Sequence, residues 1–324
     1  MNRRRVLGAM FAAAATPLHA QPAGRAARVG VVMGDDSNDA GRFLQAFKDG
    51  MKEHGYEENR NLELAVLDYG RDRAKAAAVA DQLIGWTPAV IVANVSSVAR
   101  IVQERTRTIP IVMVTALDPV GEGLVSSLVR PGGNLTGMAS LGQAIDVKLV
   151  ELVRELVPGA RRFALLVNPA QALSRSREEA AAKAAKALAL EMAILHVRGA
   201  GDISRLGQNL EQERAEALVI ATEALLFSLR DELVRAALRA RVPSVALLPE
   251  FALSGAVASY GHDIAASFHG AARYVARILK GAKPAELPIE QPTRFQLVLN
   301  ARSARALGLT IPAALLVRAD SVIE

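Results

Sequence analysis

Cysteine is absent from all 324 residues, so neither a disulfide framework nor a thiolate metal site is open to this chain. No cysteine follows the N-terminal apolar stretch either, which excludes lipid anchoring at that point. The five histidines, His19, His54, His196, His262 and His269, never stand at metal-ligand spacing, so no metal is expected. Gly-x-Ser-x-Gly, the P-loop and Gly-x-Gly-x-x-Gly are all missing, which removes the usual hydrolase elbow, nucleotide cradle and dinucleotide site. No cofactor is expected. Aromatic residues make up 4% of the chain with one tryptophan, Trp86, few for a receptor that sandwiches sugar rings between aromatic faces. Trp86 closes a helix and reads as packing. Beyond the first residues, no apolar run approaches the eighteen or so residues of a membrane helix. The formal charge of +6 includes three leader arginines and falls to +3 without them, with bases and acids otherwise interspersed. No basic stripe with interleaved aromatics appears, so nucleic acid is not an expected partner.

What is present begins with Arg3, Arg4 and Arg5, an uncharged alanine-rich run over 6–15, and Leu18-His19-Ala20. A positive n-region, a short apolar core and a small residue at the break are a secretory signal peptide, with cleavage expected after Ala20. Either the Sec or the twin-arginine route fits those arginines. The mature protein is expected in the periplasm. Its length of roughly three hundred residues exceeds one usual core and predicts two domains.

Short apolar runs then alternate with amphipathic stretches, the order of parallel sheets covered by helices on both faces. Strands are expected at 28–33, 62–67, 89–93, 109–114 and near Leu135, with helices over 40–54, 72–84 and through Ile101. Asp118 before Pro119 predicts a further helix, stopped by Pro131, Gly132 and Gly133. A second series follows: a helix ending at Pro158, then 163–167, a helix over 178–190, 192–197, a helix over 203–212, 217–221, a helix over 226–240, and 244–247. The tail reads as a strand at 257–260, a helix over 265–279 and a final strand at 295–299. The expected fold class is α/β, two doubly wound parallel-sheet lobes joined by a multi-strand hinge. One lobe is 28–137 with about 264–286; the other is 140–258 with about 292–324.

Motifs along the whole chain carry a resemblance. They include Arg28-Val29-Gly30-Val31-Val32-Met33, Phe47-Lys48-Asp49-Gly50-Met51, Asp118-Pro119-Val120-Gly121, and Ser127-Leu128-Val129-Arg130-Pro131-Gly132-Gly133-Asn134-Leu135-Thr136-Gly137. Tyr260-Gly261, Gln291-Pro292-Thr293 with Phe295, and Arg318-Ala319-Asp320 continue the series. With these the chain resembles the substrate-binding proteins of ABC transporters of the tryptophan-binding-like group, with a type I periplasmic binding fold. The resemblance implies a two-lobed receptor, working as a monomer, that closes on a small molecule and delivers it to an ABC permease in the inner membrane. It departs from the family at Asn94-Val95-Ser96-Ser97, where members carry a Gly/Thr-Pro-Ala element, and at Thr222-Glu223, where an aspartate is frequent. An exported α/β enzyme acting on a small acid, and a ligand-sensing partner of a membrane signalling protein, stay open as alternatives.

Open α/β sheets bind ligands at the carboxyl ends of their strands. That rule nominates Asp35, Asp36, Ser96, Ser97, Thr115 and Asp118 in the first lobe, and Asn168, Thr222, Glu223 and Tyr260 in the second. Ser96 and Ser97 either welcome a carboxylate at a helix start or cap that helix. Asp118 reads first as a cap and Tyr260 first as a hinge turn; His262, near Tyr260 and Asp263, either lines the cleft or is a surface or hinge residue. Acids in one place and free amides in another suit an amino acid or a related small carboxylate.

Overall fold

The computed structural model describes residues 26–33, 39–69, 75–140, 143–171, 173–221, 223–292 and 295–324. The expected leader and three site candidates, Asp35, Asp36 and Thr222, lie outside the described residues.

Five apolar runs form the first sheet: β1 (Ala27–Met33), β2 (Leu62–Asp68), β3 (Val90–Val95), β4 (Ile111–Ala116) and β5 (Leu135–Ala139). All pair in parallel in the order β2-β1-β3-β4-β5. The inner strands are apolar throughout because helices cover both faces; Val90, Ile91, Val92 and Ala93 are fully buried. Around it lie α1 (Asp39–Glu53), α2 (Lys75–Gly85) and α3 (Ser96–Arg105). Phe43, Phe47 and Met51 recur at helical spacing on the buried face of α1, each contributing about 1.5–3 kcal/mol by burial. Gly137 has φ +128 and a Cβ there would stand 2.1 Å from the Met113 carbonyl oxygen, so β5 lies against β4 only with glycine at that point.

The second sheet starts after α4 (Gln143–Leu156) with β6 (Arg162–Val167), α5 (Ser174–Ala187), β7 (Glu191–His196), α6 (Leu206–Gln212) and β8 (Ala217–Ile220). It continues through α7 (Ala224–Ser228), α8 (Arg230–Arg239), β9 (Ser244–Ala246), α9 (Pro249–Leu253) and β10 (Ala258–Gly261). Then come α10 (Ile264–Leu279), β11 (Gln296–Asn300), α11 (Ala301–Leu307), α12 (Ala313–Arg318) and β12 (Ser321–Ile323). The strand order is β12-β11-β10-β9-β8-β6-β7. Its first five members in sequence repeat the path of the first sheet, and β11 joins β10 antiparallel.

The chain changes sheet three times. Ser140 follows β5 and leads to α4; His262 follows β10 and leads to α10, which packs on α1, β3, β4 and β5 of the first sheet. Residues 287–290 then run beside β5, where Glu290 bridges Met138, before the chain returns to β11. The passages are tied together: the Gln291 side chain donates to the Ser140 carbonyl at 3.0 Å.

Several expected elements differ. No helix follows Asp118; residues 119–123 are turns, with Gly123 at φ +69. Gly121 and Gly123 weaken any helix there, and Arg100 and Gln103 of α3 take the carbonyls of Glu122 and Leu124 instead. The strand expected over 109–114 begins at Ile111, since Pro110 has no amide to give the ladder. The helix expected over 226–240 divides at Leu229, where the Ser228 hydroxyl back-bonds to the Leu225 carbonyl at 2.8 Å. The helix over 178–190 occupies Ser174–Ala187. Helices α9, α11 and α12 and strand β12 are additions, so the strand placed near 295–299 is not the last.

Candidate ligand-binding site

Between the carboxyl ends of the two sets of strands lies a cavity of about 120 Å³. From the first sheet it is lined by Asn94, Val95, Ser96, Ser97, Thr115, Glu122 and Ser140; from the second by Asn168, Gln171, Arg177, Glu223, Phe227 and His262. Phe43 and Phe268 complete an apolar wall, their rings stacked 5.5 Å apart with 3° between planes.

Ser96 and Ser97 open α3, whose N-cap is Val95 with no side-chain cap. The serines lie inside the helix rather than at its cap, and among the described residues Val95 offers no side-chain acceptor to the first amides of α3, at the cavity lining. Ser96 hydrogen-bonds Glu122, whose carboxyl is pushed above its ordinary value by burial, against that bond and the charge of Arg100. Thr115 donates its hydroxyl to the Asn94 carbonyl at 2.6 Å, locking β4 to β3 at their polar ends.

The second sheet answers with charge. Glu223 caps α7, accepting from Leu225 at 3.1 Å and Leu226 at 3.0 Å, and also from Gln171 at 2.9 Å. Burial still raises its carboxyl pKa against those bonds. Arg177 meets Asp146 at 2.6 Å, both almost wholly buried. Burial raises Asp146 and the guanidinium opposes it. The charge of Arg177 is engaged by Asp146 and also acts on Glu223, while that of Arg100 acts on Glu122. Asn168 holds its turn by accepting from the Ala170 amide at 3.0 Å.

His262 is buried, with its pKa lowered to about 4 by burial against the charge of Asp263. It is neutral at ordinary pH; its burial overturns the surface reading, while its place directly after β10 and on the lining agrees with the hinge and cleft readings. Two nominated residues are not on the lining, in keeping with the structural roles read first for them. Asp118 accepts from the Gly121 amide at 2.9 Å and holds the turn, outside the cavity lining. Tyr260 stacks on Phe295 with centroids 5.9 Å apart, also outside it. Beyond the cavity, α1 reaches the other sheet through ion pairs: Asp39 with Arg230 at 2.7 Å, and Arg42 with the buried Glu250.

Residues 28–323 match the family described as ABC transporter substrate binding protein. The chain belongs to that family. A conserved domain protein of Vibrio cholerae is 30% identical with a TM-score of 0.86, over 92% of this chain and 100% of that one. The ABC domain of Streptococcus pneumoniae in complex with L-Trp has the same TM-score at 23% identity, over 92% and 100%. A curated relative, the tyrosine-binding protein of Clostridioides difficile, is 24% identical over 267 residues, 82% of this chain and 75% of that protein. The fold is the two-lobed type I binding fold, and the family is one of binding proteins, not enzymes. Among the described residues no group of three or more His, Asp or Glu could hold a metal, and no helix is long and apolar enough to cross a membrane.

As a substrate-binding protein the chain brings together five of its sequence candidates, Ser96, Ser97, Thr115, Asn168 and Glu223. Sequence reasoning missed Arg177, Glu122 and the phenylalanine wall. Arg177 shares the buried stripe of α5 with Ala181, Ala184 and Ala185, so an arginine on an alanine face was the available signal. Glu122 directly follows the quoted Asp118-Pro119-Val120-Gly121 motif, in a stretch read as a helix.

Proposed function

We propose that this chain is the extracytoplasmic receptor of an ABC importer for an α-amino acid with an apolar or aromatic side chain. The observation that carries this reading is a pair of opposed helix starts. The open amides of α3 suit a carboxylate, while Glu223 closes α7 and presents a carboxyl raised by burial, relieved by an ammonium group. Phe43, Phe227 and Phe268 accept the side chain. The relatives' L-Trp and tyrosine support the same class. Ligand closes residues 28–137 with 264–286 against 140–258 with 292–324 by bending at the three passages. The closed monomer then docks on an inner-membrane permease from the periplasmic side.

Thermal shift and calorimetry of the purified protein test this with L-tryptophan, L-tyrosine, L-phenylalanine and L-leucine, against tryptamine and indole-3-propionate. At a hundredfold excess over Kd a true ligand adds about 2.7 kcal/mol. The analogues lacking either charged group are expected to bind at least about tenfold more weakly. Equal binding of tryptamine, or no response to any amino acid, defeats the reading.

A further inference from the structure

Three buried polar atoms on the cavity lining have no hydrogen-bond partner among the described residues: Asn94 Oδ1, Ser140 Oγ and His262 Nδ1. Their residues are 9%, 2% and 4% exposed. Burying such a group unpaired is costly, and the three residues that carry these atoms line one cavity.

Their positions are not scattered. Ser140 is the residue directly after β5 and His262 the residue directly after β10, the fifth strands of two sheets that repeat one path. Both therefore stand at the entry to a passage between sheets, and Asn94 lies at the end of β3, two strands from β5. Neighbouring groups are already engaged. The Ser140 amide donates to the Ala116 carbonyl at 2.6 Å, and its carbonyl accepts from Gln291. Asp263 caps α10 through the Ala265 amide at 2.8 Å and so does not serve His262. None of the three groups is an ion, and burial keeps the imidazole neutral.

We propose that His262 and Ser140, with Asn94, form a neutral subsite at the hinge that reads an uncharged polar group on the ligand's side chain, a phenolic hydroxyl or an indole N–H. The inference rests on the reading above, in which α3 and Glu223 take the carboxylate and the ammonium. An apolar side chain leaves all three atoms unpaired in the closed state, so discrimination arises from its failure to satisfy them. A group bonded to both Ser140 and His262 also joins two passages, linking side-chain recognition to closure.

The test is calorimetry of the full protein with L-tyrosine, L-tryptophan and L-phenylalanine, on the parent and on Ser140→Ala and His262→Leu. The parent is expected to bind tyrosine or tryptophan at least about tenfold more tightly than phenylalanine. Each substitution is expected to shrink that ratio while changing phenylalanine affinity less than about threefold. Without ligand, both variants are expected to melt at or above the parent temperature, because each removes an unpaired buried atom. Equal parent affinity for all three amino acids overturns the proposal, as does an equal loss for all three in the variants. A fall in the melting temperature of both variants would assign the two side chains a structural role and overturn it too. If phenylalanine binds well and discrimination is absent, only the subsite falls; if none of the three binds, the amino-acid reading falls with it.

Discussion

Strands β3 and β8 hold the same place in their sheets, next to the first strand of each, and a helix is the next element after each. Their helix starts are chemically opposite. After β3 the chain runs Asn94-Val95-Ser96-Ser97 and leaves α3 without a side-chain cap; after β8, Glu223 turns its carboxylate back on the amides of α7. One repeated backbone path therefore presents a positive end on one side of the cavity and a negative end on the other. On the proposed reading, the duplicated topology sets where a ligand lies, and a few strand-end residues set which way round it lies.

The sharpest way to break this contrast is to disturb the charges of the second side. Arg177→Met strands the buried Asp146 carboxylate and is expected to cost about 3–5 kcal/mol of unfolding free energy, with Arg177→Met/Asp146→Leu recovering most of it in denaturant melts. Next is the pH response. His262 has a folded pKa lowered from 6.5 to about 4, so the unfolded chain binds a proton first as pH falls. Stability is lost between about pH 6.5 and 4, by at most about 3 kcal/mol, and His262→Leu should remove that part of the profile. Buried acids with raised pKa values, such as Glu122 and Glu223, act with the opposite sign, so the comparison with the variant is the measurement that counts.

Glu223→Gln keeps an oxygen for the α7 amides but removes the charge. Amino-acid affinity by calorimetry is expected to fall by about 2–3 kcal/mol, with a smaller effect on indole-3-propionate. Val95→Asp makes the first side imitate the second by giving α3 an anionic cap; carboxylate binding should weaken by about 1–2 kcal/mol while thermal stability holds. The smallest effect belongs to Asp39→Asn, which severs the contact of α1 with Arg230. About 0.2–1 kcal/mol of ligand affinity should go, less in high salt.

The doubly wound pattern was legible because parallel strands covered on both faces have no choice but to be apolar, and their helices must show a periodic stripe. Residues near Asp118 were misread because a cap before proline announces a turn as readily as a helix, and the two glycines that decide between them act through propensity alone. Strand-end rules nominated Ser96, Ser97, Thr115, Asn168 and Glu223, which the structure places on the cavity lining. They missed Arg177, on the lining from the first turn of α5, and nominated Tyr260, which stacks on Phe295 off the lining. Burial of His262 depends on α10 crossing to the first sheet, a long-range event with no local trace.

That crossing also governs how the molecule comes into being. The buried face of α1, with Phe43 and Phe47, is covered by α10, whose last residue is Leu279. On a growing chain the first sheet must therefore wait, its apolar helix uncovered, until most of the protein has been synthesised. Until α10 emerges, a chaperone acting on the nascent chain would meet the apolar face of α1 uncovered.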